Sequence, residues 1–285
     1  MRKVSVAEAE DAGPARVRRA APRWRLGVYH VLILALLFLV WYALTQPGLV
    51  SEEFAKKTAF FFGRPVQVFV VIWNWFAGGK IYEHLAYTLI ETLLAFAVGG
   101  VLGLVIGLWL ALSPLASALA DPYIKGLNAM PRVILAPIFA VWFGLGVTSK
   151  VALGVTLVFF IVFFNVYQGI KEVSPVVLAN ARMLGASSRQ LLQHIYLPSA
   201  TSWVFSSLHT SVGMAFVGAV VGEYLGSAKG VGYLILQAEG VFDINTVFAG
   251  IVVLTAFALL LDWIVTHIEA RLLVWRPRQA ETETL

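Results

Sequence analysis

The chain has 285 residues, of which 59% are hydrophobic and only 13% charged, where soluble domains run at about 45–50% and about 25%. No soluble fold of this length hides so much apolar surface, so the bilayer is its natural solvent. The absence of cysteine excludes disulfides and thiolate metal sites, and the net charge of +5 clusters in the N-terminal tail and at span ends, which points to membrane topology and not to a nucleic acid partner.

The first 25 residues mix Ala, Glu, Arg and Pro without periodicity and read as a disordered tail, with Arg16, Arg18, Arg19, Arg23 and Arg25 near anionic headgroups. A spanning helix needs about 20 mostly apolar residues. Val28–Thr45 supplies the first, read as a signal anchor because no small-residue cleavage site follows it. Val66–Ala77 is apolar but too short to cross, and Trp73 and Trp75 suit an interfacial helix. His84–Leu112 is the second span, and Gly99, Gly103 and Gly107 recur along it every four residues, as do Gly218 and Gly222 later. Such spacing lets helices approach closely, within one subunit or at a dimer seam. The third span, Tyr123–Phe143, is interrupted by Pro131 and Pro137, the fourth is Val151–Ile170, the fifth Ser199–Val221 and the sixth Thr246–His267.

The expected architecture is therefore all-α: a polytopic bundle of about six transmembrane helices. With both tails on one face, fifteen Lys and Arg fall on the side of the tails and of the 171–198 loop, and six on the other. The positive-inside rule puts that loop and both termini in the cytoplasm.

Within the loop, SPVVLANARMLGASSRQLLQHIYLPSA spans Ser174 to Ala200 and carries the signals of two short helices. Ser174 can cap the first, with Pro175 at its first position. Gly185 stands where a left-handed helix end is wanted. Ser187 and Gln190 form a capping-box pattern for the second, and Pro198 ends it or turns it into the membrane. Val177, Leu178, Ala181 and Leu184, then Leu191, Leu192 and Ile195, recur at helical spacing. The expected object is a rigid knob with an apolar face; the plainer alternative is a loop lying on the headgroups.

Ala181, Gly185, Ile195, Leu197 and Pro198 fall in the register of the cytoplasmic motif of ABC importer permeases: Glu-Ala-Ala, three residues, Gly, nine residues, Ile, one residue, Leu-Pro. Ala179 and Asn180 stand where that motif has Glu and its first Ala. NAMPRVILAPIFAVWFGLG (Asn128–Gly146), VGEYLGSAKGVGYLI (Val221–Ile235) and LLLDWIVTHIEARLLVW further resemble the nitrate/sulfonate/taurine branch, over about Tyr82 to Trp275. This resemblance implies the type I importer permease fold, with a core at 81–275, a first span and outer interfacial segment at 26–80, a coupling loop at 171–198 and a cytoplasmic tail at 276–285. It implies that Arg182, Gly185, Ala186 and their neighbours contact ABC ATPase subunits, which bind the ATP. It also implies a second permease copy and a periplasmic or lipid-anchored solute-binding protein. The solute would be a sulfonate-, taurine- or nitrate-like anion, with a thiamine precursor or riboflavin as alternatives.

There is no Walker A sequence, zinc motif or G-x-S-x-G elbow, so no catalytic site, metal or cofactor is expected in this chain. A secondary transporter would need inverted repeats and embedded charge clusters, and a membrane enzyme a catalytic constellation at a span end; neither is visible. Among polar residues inside the spans, Glu91 and Asp262 read as structural pairs or interfacial groups, and Glu223 lies near a span end. His209 with Thr210 and Ser206 forms a polar face that lines a pathway or bonds to a neighbouring helix, and Asn165 is a further pathway candidate.

Overall fold

In the computed structural model residues 23–272 are described; expectations for the tail before Arg23 and for the segment after Leu272 lie outside them. The chain forms helices α1 (Arg23–Thr45), α2 (Glu52–Phe62), α3 (Pro65–Ala77), α4 (Lys80–Leu112), α5 (Pro114–Ala129), α6 (Leu135–Phe143), α7 (Val147–Lys171), α8 (Pro175–Met183), α9 (Ser188–Leu191), α10 (Leu197–Ser206), α11 (Leu208–Gly226), α12 (Val231–Gly240) and α13 (Ile244–Leu272). It divides into two compact units, one up to Ala59 and one from Phe60 onward. In the first, α1 is apolar on every side, as a lipid-facing span is, and the Thr45 hydroxyl near its end donates back to the Trp41 carbonyl. Helix α1 already begins at Arg23, so Arg23 and Arg25 belong to a helix and not to the tail.

The second unit is built on α4 and α7. A Cβ added at Gly99 would stand 2.8 Å from Val158 Cβ, one at Gly103 2.8 Å from the Phe159 carbonyl, and one at Gly107 3.0 Å from the Phe163 carbonyl. Advancing four residues on α4 advances four on α7, so the two helices run parallel with backbones in close approach. Helix α7 meets α10–α11 in the opposite sense: Lys150 faces Gly222, Gly154 faces Gly218, and Gly169 faces Trp203. Both glycine series thus serve packing inside one subunit. Ala95, Val158, Val162, Val166, Ala200 and Ala215 fill the centre.

These directions fix the topology. Because α4 and α7 are parallel, α5 and α6 between them must return across the membrane, although they meet at 76°. The third span is therefore longer than Tyr123–Phe143 and sharply broken. It starts at Pro114, and the break falls at Met130–Pro131, ahead of a 3₁₀ turn at Arg132–Ile134. Pro131 breaks it and Pro137 does not. The latter sits in the first turn of α6, where its missing N–H has no helical partner to lose. Lys125 and Arg132 belong to this span. That reduces the basic residues on the side of the 171–198 loop from fifteen to thirteen, still well above six.

Helix α13 is antiparallel to α11, with Phe257 beside Phe216 and Thr266 beside His209. Its beginning therefore lies at the same end of the bundle as the beginning of α4. Helix α3 joins these two places: the Arg64 N–H donates to Asn245 Oδ1 at 2.7 Å, Asn245 Nδ2 donates to Gln67 at 2.8 Å, and α3 ends next to Lys80. With both ends at one face, α3 lies across the bundle, as its interfacial composition suggests, even though Glu52–Ala77 taken together reaches 26 residues and spanning hydropathy.

Candidate functional site

Three constellations stand out on this frame. The first is the projection between α7 and α10. Helix α8 has no buried residue, and it closes with the Schellman pairing: Gly185 N–H donates to the Arg182 carbonyl and Ala186 N–H to the Ala181 carbonyl, both at 3.0 Å. Gly185 takes φ +82°, which side chains with a Cβ rarely tolerate. Ser187 and Gln190 then form both bonds of a capping box and start α9. Ser174 makes no side-chain cap, and Pro175 alone opens α8.

Pro198 does not end the second helix. A π turn at Leu192–Tyr196 runs straight into α10, with Leu197 N–H donating to the Leu192 carbonyl, so Pro198 lies in the first turn of α10. The base of the projection is fixed, because Ser199 Oγ donates to the Gly169 carbonyl at 2.7 Å and the Trp203 indole lies on Gly169. The tip is open. Leu184 is 88% exposed and Met183 79%. Ala181, Gly185, Ala186 and Ile195 line a cleft of 350 Å³ between α8 and α9. Arg182, Ala179 and Asn180 are exposed, so the lack of the motif's Glu leaves no void in this chain.

The second constellation is the broken third span. Ser117, Asp121, Lys125 and Asn128 follow at intervals of four, four and three residues, which is one face of α5, and Arg132, four residues on and just past the break, reaches back to it. Lys125 pairs with Asp121 at 2.7 Å. Arg132 Nη2 donates to the Asn128 carbonyl at 3.0 Å and to its side-chain oxygen. Leu115, Leu119, Tyr123 and Leu127, two residues out of phase, expose an apolar face on the other side. The sequence places Lys125, Asn128 and Arg132 in the third span but leaves Ser117 and Asp121 before it, because Asp121 and the small polar residues around it lower hydropathy; the four-residue spacing was the available signal for the whole stripe.

The third lies buried at the end of the bundle where α4 and α13 begin. Glu223, fully buried, accepts from the Thr88 hydroxyl at 2.6 Å and from the Gly232 N–H at 2.8 Å. His84 Nδ1 meets the Gly230 backbone at 3.0–3.1 Å. Glu91, 1% exposed, lies against Glu223, and its Oε2 has no hydrogen-bond partner. Lys150, also 1% exposed, donates to the Leu145 carbonyl at 2.6 Å and acts electrostatically on both carboxyls. The cluster ties the start of α12 to α4, α7 and α11. Lys150, which stands in the sequence just ahead of the fourth span, is buried in it.

The pathway candidates are dispersed. His209 bonds to α13, with Nδ1 2.8 Å from Glu269 and Nε2 3.0 Å from Thr266 and 3.7 Å from Asp262. Asp262 thus acquires a histidine neighbour. Thr210 is exposed on α11, and Asn165 donates to the Ile161 carbonyl of its own helix at 2.8 Å. The side chain of Ser206 lies outside the described part.

Residues 99–274 match the family described as binding-protein-dependent transport system inner membrane component. The chain belongs to this family. It is 31% identical to a putative aliphatic sulfonates transport permease of Bacillus subtilis over 91% of this chain and 92% of that one. It is 29% identical to the taurine transport system permease of Escherichia coli over 90% and 94%. Its fold is similar to that of a chain from an inward-facing methionine ABC transporter, with a TM-score of 0.59 and 16% identity over 67% of this chain and 95% of that one. This ABC importer permease is accordingly a multi-pass membrane protein and a transport subunit.

Proposed function

We propose that this permease forms, with a second copy of itself, the pathway of an importer in which two separate ATPase subunits bind and hydrolyse ATP and grip the α8–α9 projections from the cytoplasm. The observation that carries the reading is the projection itself: capped on both sides of the turn between α8 and α9, fixed at its base and apolar at a tip that no described residue covers. A rigid element can transmit a rigid-body movement, which a floppy loop cannot. The projection continues into α7 and α10, and α7 carries α4 with it through the glycine seam. Movement of the ATPases would therefore rotate the core as one body and switch access.

Both termini and the coupling loop are assigned to the cytoplasm, on the excess of basic residues there. A solute-binding protein, periplasmic or lipid-anchored, would deliver the solute to the opposite face. The solute is assigned to the sulfonate, taurine and nitrate class, with riboflavin or a thiamine precursor as the second choice. The test is co-purification of the detergent-solubilised permease with a co-expressed ABC ATPase subunit from the same organism. Recovery of the pair from native chain, and its loss on Leu184→Asp with an intact permease, is the expected result. Unchanged recovery from Leu184→Asp, or no ATPase with native chain, would refute it.

A further inference from the structure

The Arg132 guanidinium lies over the Phe160 ring, 4.6 Å from its centroid. Phe160 stands thirteen residues from the start of α7 and eleven from its end. At 1.5 Å per residue this is about 20 Å and about 16 Å, the middle of a hydrocarbon core about 30 Å thick. Ser117, at the other end of the polar stripe, bonds to Tyr167, four residues from the end of α7. The stripe thus climbs from the cytoplasmic end to mid-membrane and stops at the helix break.

An arginine at that depth is costly unless it faces water or a counter-charge. Asp121 is paired to Lys125, and among the described residues Arg132 has no ion pair. Its Nη2 caps the carbonyl end of α5, but its Nε is buried without a partner. The remaining donors belong to a planar fork shaped for two oxygens of an oxyanion. Broken helices place such groups where transporters hold solute.

We propose that Arg132 is the mid-membrane station for the transported oxyanion, with Asn128 positioning its guanidinium and the Ser117–Asp121–Lys125 face lining the aqueous route to the cytoplasm. The inference rests on the anionic solute class proposed above.

The test uses the complete transporter, with ATPase and binding protein, in proteoliposomes offered radiolabelled taurine, ethanesulfonate or riboflavin. Sulfonate uptake is expected to fall about tenfold to a hundredfold in Arg132→Gln, the loss of a charge-assisted pair, with partial recovery in Arg132→Lys. On the native chain, ethanesulfonate is expected to protect Arg132 from phenylglyoxal, read by mass spectrometry of the peptide that carries it, whereas an arginine with a packing role alone would react equally with and without the sulfonate. This arm needs no substitution and survives a variant that fails to assemble. Native sulfonate uptake with undiminished uptake in Arg132→Gln, or absence of protection, overturns the station and leaves the solute class standing. Native uptake of riboflavin without sulfonate overturns the solute class, and the station falls with it.

Discussion

Replacing Glu223 by Ala removes a buried side chain of α11 that binds α4 through Thr88 and the start of α12 through Gly232. The Thr88 hydroxyl and the Gly232 N–H lose an acceptor at 2.6 and 2.8 Å, in a site that water does not reach. The Thr88 hydroxyl keeps the His84 carbonyl at 3.1 Å, so the Gly232 N–H is the donor left without an acceptor, at a cost of about 1–3 kcal/mol. Lys150 keeps its bond to the Leu145 carbonyl and the nearby Glu91 carboxyl, so the full penalty of about 3–5 kcal/mol for an unpaired buried ion is not incurred. We therefore expect a loss of about 2 kcal/mol. At roughly 2–4 °C per kcal/mol for a chain of this size, the melting temperature in detergent should drop by about 4–8 °C. Fluorescence-detected size-exclusion chromatography after a heating series measures it. Glu223→Gln retains one acceptor oxygen and should lose about half as much. A melting temperature within about 2 °C of native for Glu223→Ala would refute the reasoning, since it would mean that water reaches these donors or that the loop start is held by other contacts.

Gly103→Ala should destabilise the bundle by about 1–3 kcal/mol, because the added carbon meets the Phe159 carbonyl at 2.8 Å and the Phe163 N–H at 3.0 Å, backbone atoms that cannot swing away; the same melting assay checks it, against Gly100→Ala, whose Cβ meets nothing. Ser187→Ala should remove the capping box at a cost of about 1 kcal/mol, leave bundle melting unchanged, and weaken ATPase recovery in pull-down. Since the chain has no cysteine, single Cys replacements of Asp121, Lys125 and Asn128 should react with a membrane-impermeant maleimide in inside-out vesicles, and replacements of Leu115, Leu119 and Leu127 should not. Equal labelling of the two sets would show that the polar face of α5 does not border water.

The amino-acid sequence alone determined most of the architecture and the family. Hydropathy depends on composition over about 20 residues, so α1, α4, α7 and α13 were legible within a few positions. Caps are set by adjacent residues, so Gly185, Ser187 and Gln190 could be assigned their roles directly. The glycine spacing announced close packing without naming its partner. Only the tertiary structure decided that Gly99, Gly103 and Gly107 receive Val158, Phe159 and Phe163 from the same chain, because a partner distant in sequence leaves no local trace. It likewise joined Glu91, Lys150 and Glu223 from three helices, and bound His209 to Glu269. It also placed Arg132 over Phe160 at mid-depth: hydropathy averages a lone arginine away, whereas the position of its charge in the bilayer is set by the helix break and by the neighbour on which it rests.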